Sequence, residues 1–217
     1  MSLHLPLNLH GYWRSSTSYR TRIALALKGL DFDYTAVDLG VGEQRGATYK
    51  AVNPHGTVPT LHTPDGAMTQ SLGILDWLEA THPTPSFLPT RDILLCRDLF
   101  YAIATEIHAP LNPSVLKRLF ENDRAAKEKF YQFIVHRTFA PVETRLAAHD
   151  WHTAELPFRQ PTLFEIVLVP QLYNARRWNV DLTDFPLLRK IDDHCQTRDA
   201  FIQALPENQT DATPSPA

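Results

Sequence analysis

Residues 7–39, LNLHGYWRSSTSYRTRIALALKGLDFDYTAVDL, decide the fold of the first part of the chain. Leu7–Trp13 is typical of a strand, and a polar turn over Arg14–Ser18 follows it. The next residues predict a helix that stops at Gly29, because apolar side chains recur at three- and four-residue spacing: Ile23, Leu27 and Leu30. Phe32–Leu39 alternates and is rich in β-forming residues, so it predicts a second strand. A strand–helix–strand unit predicts two parallel strands.

The residues that follow complete a small α/β domain. Thr57–His62 and Ala67–Thr69 flank the turn sequence Thr63-Pro64-Asp65-Gly66 and therefore predict an antiparallel hairpin. Ser71 then begins a helix whose inward-facing residues are Leu72, Leu75 and Leu78. The order βαβ(α)ββα is that of a thioredoxin-like domain.

The remainder of the chain is helical in pattern. His82–Pro89 has three prolines in eight residues, as expected of a semi-rigid linker. The fold class is therefore α/β followed by all-α: a thioredoxin-like domain over 1–84 and a helical bundle over 90–207. The polar, proline-rich residues 208–217 predict a disordered tail.

Three helices are expected in the bundle. The first carries apolar residues at bundle spacing: Ile93, Cys96, Phe100, Ile103 and Ile107. The second runs from about Asp123 toward His149, with a kink at Pro141 and three buried residues: Phe130, Phe133 and Ile134. The capping box Thr162–Glu165 opens a third, Ile166–Trp178, whose nearly continuous apolar surface places it at the centre of the bundle.

Composition and charge exclude several functions. The 217 residues carry a net charge of −3, which argues against binding to nucleic acid or to an anionic membrane. Two cysteines are too few for a disulfide framework or a four-cysteine zinc site, and the scattered histidines suggest no metal. The chain shows neither an apolar run of membrane-spanning length nor a secretory signal, so we expect a cytoplasmic protein.

Hydroxyl groups stand where a thioredoxin-like fold carries its reactive group. Ser15-Ser16-Thr17-Ser18 precedes the first helix, and without a Cys-x-x-Cys motif there disulfide exchange is excluded. A helix N-terminus favours negative charge, and a hydroxyl can donate to it, so this segment could stabilise a thiolate brought by a ligand. The simpler alternative is that one serine only caps the helix.

Two further segments favour a ligand. Val58-Pro59 precedes a strand where this fold carries a cis-proline, which leaves the backbone N–H and C=O of the preceding residue ready to pair with an extended peptide. Gln70-Ser71 lies at the next helix start, a natural carboxylate site. Each could be only a turn proline or a cap. Together, the three segments describe a site for a thiol peptide with a free carboxylate, and glutathione fits that description.

The chain resembles the zeta class of glutathione transferases, which contains maleylacetoacetate and maleylpyruvate isomerases. Residues 13–25, WRSSTSYRTRIAL, are similar to the class pattern Arg-Ser-Ser-Cys-x-x-Arg-x-Arg-Ile-Ala-Leu. The resemblance extends from about Leu7 to Leu205 and includes residues 53–61, Gln70-Ser71 and residues 168–183. Three features depart from the class: Thr17 in place of cysteine, Phe158-Arg159-Gln160 in place of Gly-Asp, and His108–Asn112 in place of a glutamine-rich stretch.

The resemblance implies a role for individual residues. Ser15 matches the serine that donates to the glutathione sulfur, with Ser16 as the other candidate, and Thr17 lines the same pocket. The remaining glutathione contacts implied are Gln44, Val58, Pro59, Gln70, Ser71, His108, Asn112 and Ser114.

Three arginines match class positions near the electrophile: Arg14, Arg176 and Arg177. A guanidinium binds a carboxylate through two parallel hydrogen bonds and stays charged, as a dicarboxylate substrate requires. A surface ion pair is the alternative for each of them.

The activity implied is glutathione-dependent cis–trans isomerisation of a maleyl dicarboxylic acid, with glutathione as a cofactor that is not consumed. The resemblance also implies a cytoplasmic homodimer. Two alternatives remain open: a broader transferase that acts on α-haloacids or other electrophiles, and a non-catalytic binding module of the same fold. Retention of Ser15, Pro59, Gln70 and Ser71 argues against the second.

Overall fold

The computed structural model describes residues 7–151 and 154–213, and its contacts divide the chain into two compact units. The first unit contains the residues up to Ser86 together with those from Arg198 onward, and the second contains Phe87–Thr197. Within the described ranges, no helix is long and apolar enough to cross a membrane.

A four-stranded sheet in the order β2–β1–β3–β4 forms the centre of the first unit. The strands are β1 (Leu7–Gly11), β2 (Phe32–Ala36), β3 (Thr60–Thr63) and β4 (Gly66–Met68). Strands β1 and β2 are parallel, whereas β3 runs antiparallel to both β1 and β4. The predicted thioredoxin-like order, the parallel pair and the antiparallel hairpin are therefore confirmed.

Three helices follow these strands: α1 (Ser16–Leu27), α2 (Ala47–Val52) and α3 (Ser71–Thr81). Helix α1 stops where the sequence predicts. Gly29 adopts a left-handed φ of 65°, and the Leu30 N–H donates to the Leu25 carbonyl over 3.1 Å, a helix-ending bond that a left-handed residue permits. Strand β1 is shorter than predicted, because the Ser15 N–H bonds the Tyr12 carbonyl in a turn that leads into α1.

The second unit is helical: α4 (Ile93–Tyr101), α5 (Pro113–Phe120), α6 (Arg124–Ala147), α7 (Leu163–Arg177) and α8 (Pro186–Cys195). A π-helical segment, Ala102–Ile107, continues α4. Helix α6 begins with the Asp123 side chain accepting from the Ala126 N–H over 2.9 Å, and it stays helical through Pro141.

The capping box predicted at the start of α7 is present. The Thr162 side chain accepts from the Phe164 N–H over 3.3 Å, and the Glu165 carboxylate accepts from the Thr162 N–H over 2.8 Å. Every residue from Leu163 to Leu172 is buried, which confirms the central place of this helix in its unit. The helix begins three residues earlier than predicted, since Thr162 itself is the cap.

The prediction that Phe133 is buried is wrong, because its ring is 59% exposed. The buried face of α6 is set by residues at three- and four-residue spacing: Tyr131, Ile134, Val135, Thr138, Phe139, Val142 and Leu146. Phe133 does not lie on that buried face. Phe130 is half-buried, with its ring 5.2 Å from that of Phe120.

The end of the chain differs from the expected domain division. Helix α9 (Asp199–Ala204) packs on α1 and belongs to the first unit, whereas the sequence pattern placed residues up to 207 with the bundle. Residues 208–213 belong to the tail that was expected to be disordered, and they are described. Within them, the Asp211 carboxylate accepts a hydrogen bond from the Trp13 N–H. The composition of residues 208–217 does not predict this contact, because one carboxylate makes it. Residues 214–217 lie outside the described part of the chain.

Candidate active site

Hydroxyl groups at the start of α1 form a connected row. Ser15 is the residue that caps the helix, and its Oγ accepts from the Ser18 N–H over 3.3 Å. The Ser15 and Thr17 hydroxyl oxygens lie 2.8 Å apart, and Thr17 Oγ1 donates to the Val58 carbonyl over 2.9 Å. No acidic side chain lies in the first turn of α1, so the positive end of the helix dipole is not neutralised there.

The loop before Ser15 is held from two sides. Arg22 lies on α1, and its Nη2 donates to the Trp13 carbonyl over 2.8 Å while its Nε donates to the Ala204 carbonyl over 3.1 Å. Asp211 accepts from the Trp13 N–H over 2.9 Å and from the Tyr34 hydroxyl over 3.3 Å. Both backbone groups of Trp13 are therefore bonded, which fixes the direction in which the chain enters α1.

Arg14 sits directly before the capping serine. Its guanidinium carbon lies 4.9 Å from the centre of the Trp13 ring, a cation–π contact, and the side chain is half-buried. The buried Trp13 ring thus gives Arg14 a fixed support next to Ser15.

The segment before β3 packs against the loop that carries Gln44. The Val58–Pro59 peptide bond is cis, and the Val58 side chain is buried with Val37 and Tyr49. Gly56 adopts a φ of 61°, and a Cβ there would lie 2.9 Å from the Gln44 carbonyl oxygen. The Gln44 backbone is thereby brought beside the segment that leads to Val58.

The register of the sheet brings the three predicted ligand segments to one edge. His10 lies opposite Thr60, and Leu61 lies opposite Met68. The end of β1, the start of β3 and the end of β4 therefore share that edge, from which α1 and α3 begin. Gln70 is exposed just before α3, and Ser71 is the buried first residue of that helix.

A buried acceptor without a donor also lies in this unit. Gln44 Oε1 is buried and has no hydrogen-bond partner among the described residues. An N–H group of a ligand would satisfy it, since buried polar groups are otherwise nearly always paired. The buried thiol of Cys96 does not provide a nucleophile. Burial raises its pKa to about 11, so it stays protonated near neutral pH.

The remaining predicted residues lie in the second unit. His108 follows the π-helical segment, and Asn112 caps α5 by accepting from the Ser114 N–H over 3.0 Å and the Ser114 hydroxyl over 2.7 Å. Arg176 pairs with the buried carboxylate of Asp192 over 2.6 Å, and Arg177 donates to the Asn174 side chain over 2.8 Å. For Arg176 this geometry favours the ion pair that was the alternative to substrate binding.

Sequence patterns missed two supports of the site. Arg22 stands in the matching motif, but nothing in its spacing shows that it bonds the loop before Ser15. Asp211 lies in a polar segment with no local pattern that predicts a contact. The bond from Arg22 to Ala204 spans 182 positions and the bond from Trp13 to Asp211 spans 198, and periodicity does not report contacts at such separations.

Comparison with known proteins gives the family. Residues 14–81 match the model of the glutathione S-transferase N-terminal domain. A maleylpyruvate isomerase from a Ralstonia species is 39% identical over 212 residues, which are 95% of this chain and 100% of that protein. The chain belongs to the glutathione transferase family. Its class follows from the solved structures.

Two solved structures are similar to this protein over nearly the whole chain. One is a holo maleylpyruvate isomerase described as a bacterial zeta-class transferase, with a TM-score of 0.90, 38% identity and coverage of 95% of this chain and 100% of that one. The other is a maleylacetoacetate isomerase from Anaeromyxobacter dehalogenans with glutathione bound in its active site. It has a TM-score of 0.85, 38% identity and coverage of 96% and 98%. This transferase is therefore a zeta-class member, as its sequence signature indicated.

Proposed function

We propose that this zeta-class transferase is a glutathione-dependent cis–trans isomerase of a maleyl dicarboxylic acid, either maleylacetoacetate or maleylpyruvate. The observation that carries the proposal is the hydroxyl of Ser15 at the N-terminus of α1, linked through Thr17 to the Val58 carbonyl. Similarity over 95% of the chain to a protein named maleylpyruvate isomerase supports the reaction.

The residues of the first unit fit glutathione. Ser15 offers a hydroxyl donor at a positive helix end for the sulfur, and Val58 offers its backbone to the cysteinyl unit. Gln70 and Ser71 stand at the start of α3, where a helix end and a hydroxyl suit the γ-glutamyl carboxylate. The unpartnered Gln44 Oε1 suits an N–H at the glycyl end.

Each group then has a defined task. When bound, glutathione supplies a thiolate that adds reversibly to the cis double bond of the substrate. Ser15 holds that sulfur by a charge-assisted hydrogen bond, and the dipole of α1 favours its negative charge. Ser16, the alternative donor, is the first residue of the same helix. Arg14 binds and orients a substrate carboxylate, for which the Trp13 ring holds its guanidinium in place.

Further glutathione contacts are proposed at His108, Asn112 and Ser114, and a further carboxylate ligand at Arg177. Arg176 is proposed as a structural residue through its pair with Asp192. We further propose that the protein acts in the cytoplasm as a homodimer. Sedimentation of the purified protein at twice the monomer mass would support the dimer, and sedimentation at the monomer mass would contradict it.

The test is turnover of maleylacetoacetate and maleylpyruvate, followed by ultraviolet absorbance with and without glutathione. Turnover is expected only with glutathione, and Ser15→Ala is expected to reduce kcat/KM at least about tenfold, or 1.4 kcal/mol. Thr81→Ala, which removes an exposed hydroxyl at the other end of α3, is the matched control and is expected to match wild type. Conversion of α-haloacids but neither maleyl acid would favour the broader transferase, and absence of glutathione binding would leave a non-catalytic module.

A further inference from the structure

Ser15, Thr17 and Val58 form a chain of two hydrogen bonds whose direction can be worked out. The Val58 carbonyl can only accept, so the Thr17 hydroxyl donates to it over 2.9 Å. A hydroxyl carries one hydrogen, so Thr17 has none left for Ser15. The 2.8 Å bond between the two hydroxyls is therefore donated by Ser15.

In this arrangement the Ser15 hydrogen and one of the two lone pairs of the Val58 carbonyl are already bonded. The hydrogen of Ser15, which would be donated to the sulfur, points to Thr17. Its Oγ also accepts from the Ser18 N–H over 3.3 Å. The Val58 carbonyl, which would accept from the peptide, is bonded to Thr17. Thr17 thus joins two ligand-binding groups that lie 43 positions apart in the sequence.

We infer that Thr17 is a positioning residue that couples thiolate binding at Ser15 to peptide binding at Val58, an inference that rests on the proposed function. When a thiolate arrives, Ser15 turns its hydrogen from Thr17 to the sulfur. Thr17 then turns its own hydrogen from the Val58 carbonyl to Ser15 Oγ, so that this carbonyl, which has two lone pairs, no longer shares its accepting capacity between Thr17 and an N–H of the ligand. No covalent bond changes in the hydroxyl pair, and the thiol proton leaves to solvent.

The reversal strengthens the bond to the sulfur. A hydroxyl that accepts a hydrogen bond is a better donor, because successive hydrogen bonds polarise one another. Thr17 is suited to this task because it has both a donor and an acceptor on a short side chain. Its backbone is fixed in the first turn of α1, where its carbonyl accepts from the Thr21 hydroxyl over 3.0 Å. A thiol at this position would donate weakly.

The test compares Thr17→Val, which removes the hydroxyl at nearly constant shape, with Thr17→Ser, which keeps it. The first readout is the pKa of the bound glutathione thiol, titrated by thiolate absorbance. Thr17→Val is expected to lower the thiolate-to-thiol ratio at a fixed pH by about threefold to tenfold, the value of one hydrogen bond between uncharged groups, because Thr17 donates to the hydroxyl of Ser15 and not to the sulfur. Thr17→Ser is expected to match wild type.

The second readout is the dissociation constant of S-methylglutathione, which has no ionisable thiol. Thr17→Val is expected to bind it at least as tightly as wild type does, because this ligand has no thiolate for Ser15 to hold and the Val58 carbonyl of the variant does not also accept from residue 17. A general loss of structure would instead weaken both ligands. Thr17→Ala is a second removal of the hydroxyl, and thermal unfolding checks that each variant is folded.

Three outcomes would overturn the inference. The thiol pKa could be unchanged in both hydroxyl-free variants, Thr17→Ser could shift it as much as Thr17→Val does, or both ligands could weaken equally. In each case a wild type that binds glutathione with a lowered thiol pKa would leave the proposed function standing. A wild type that does not bind glutathione would overturn the proposed function as well.

Discussion

The carboxylate of Asp211 accepts a hydrogen bond from the backbone N–H of Trp13 over 2.9 Å, although 198 positions separate the two residues. It also accepts from the Tyr34 hydroxyl. Burial lowers the pKa of the Arg22 guanidinium, and the nearby Asp211 carboxylate offsets part of that shift. The last described residues therefore hold the loop that leads into the capping serine. The position of Ser15 therefore depends on a residue that is distant in the sequence.

Asp211→Ala leaves the Trp13 N–H without its charge-assisted acceptor, a loss of about 1–3 kcal/mol. We expect part of this loss, about 0.7–1.4 kcal/mol, to appear as a threefold to tenfold weaker binding of glutathione. Asp211→Asn keeps an acceptor and should show a smaller loss. Asp65→Ala, in the exposed hairpin turn, is the matched control. Isothermal titration with glutathione checks the prediction. Equal affinity of Asp211→Ala and wild type would show that the tail does not support the site.

Gly56→Ala should disturb the site through backbone packing. Both Gly56 and Gly29 have a left-handed φ, 61° and 65°, but a Cβ at Gly56 would lie 2.9 Å from the Gln44 carbonyl oxygen, whereas a Cβ at Gly29 meets nothing within 4 Å. Gly29→Ala therefore measures the conformational cost alone, about 1–2 kcal/mol. We expect Gly56→Ala to lose more stability than this control in urea unfolding. We also expect weaker glutathione binding in Gly56→Ala only.

A larger loss in Gly29→Ala, or unchanged glutathione binding in Gly56→Ala, would contradict the packing of the Gln44 loop against the segment before Val58. The comparison is informative because the two glycines share a backbone conformation and differ in what surrounds them.

Glu165 predicts a pH dependence of stability. Burial raises the pKa of this carboxyl from its usual value of about 4.5 to about 7. The folded protein then binds more protons than the unfolded chain between these values, so the free energy of unfolding should fall as pH rises from about 4.5 to 7 and level off above that. The full effect is at most about 3 kcal/mol. Glu165→Gln, which stays neutral, should flatten this slope.

Urea unfolding at pH 5 and pH 8 measures the slope for both proteins. Glu128→Gln is the control, since Glu128 lies on α6 and pairs with the exposed Arg124. Equal slopes in wild type and Glu165→Gln would show that Glu165 does not titrate in this range.

Local chemistry made much of the fold predictable. Ser15 as a cap and Gly29 as a stop fix the ends of α1, and the Thr63–Gly66 turn sets the β3–β4 hairpin. The capping box at Thr162 likewise fixes the start of α7. These are interactions between neighbours in the sequence, which a reader of the sequence can evaluate directly.

Contacts between distant parts of the chain could not be predicted. The bond from Thr17 to Val58 and the docking of Asp211 each depend on how separate elements pack. The exposure of Phe133 has the same origin, because only the packed bundle shows which stripe of α6 is covered. The candidate site was therefore predicted as a set of residue types, and the structure supplied the bonds among them.

The most direct test of an isomerase is whether glutathione survives the reaction. Maleylpyruvate and maleylacetoacetate are supplied separately in large excess over glutathione, and the product and the remaining free thiol are measured together. We predict many equivalents of fumaryl product for each glutathione, with the thiol concentration unchanged. Conversion that stops when one thiol has been lost per product, or that proceeds equally without glutathione, would contradict the account.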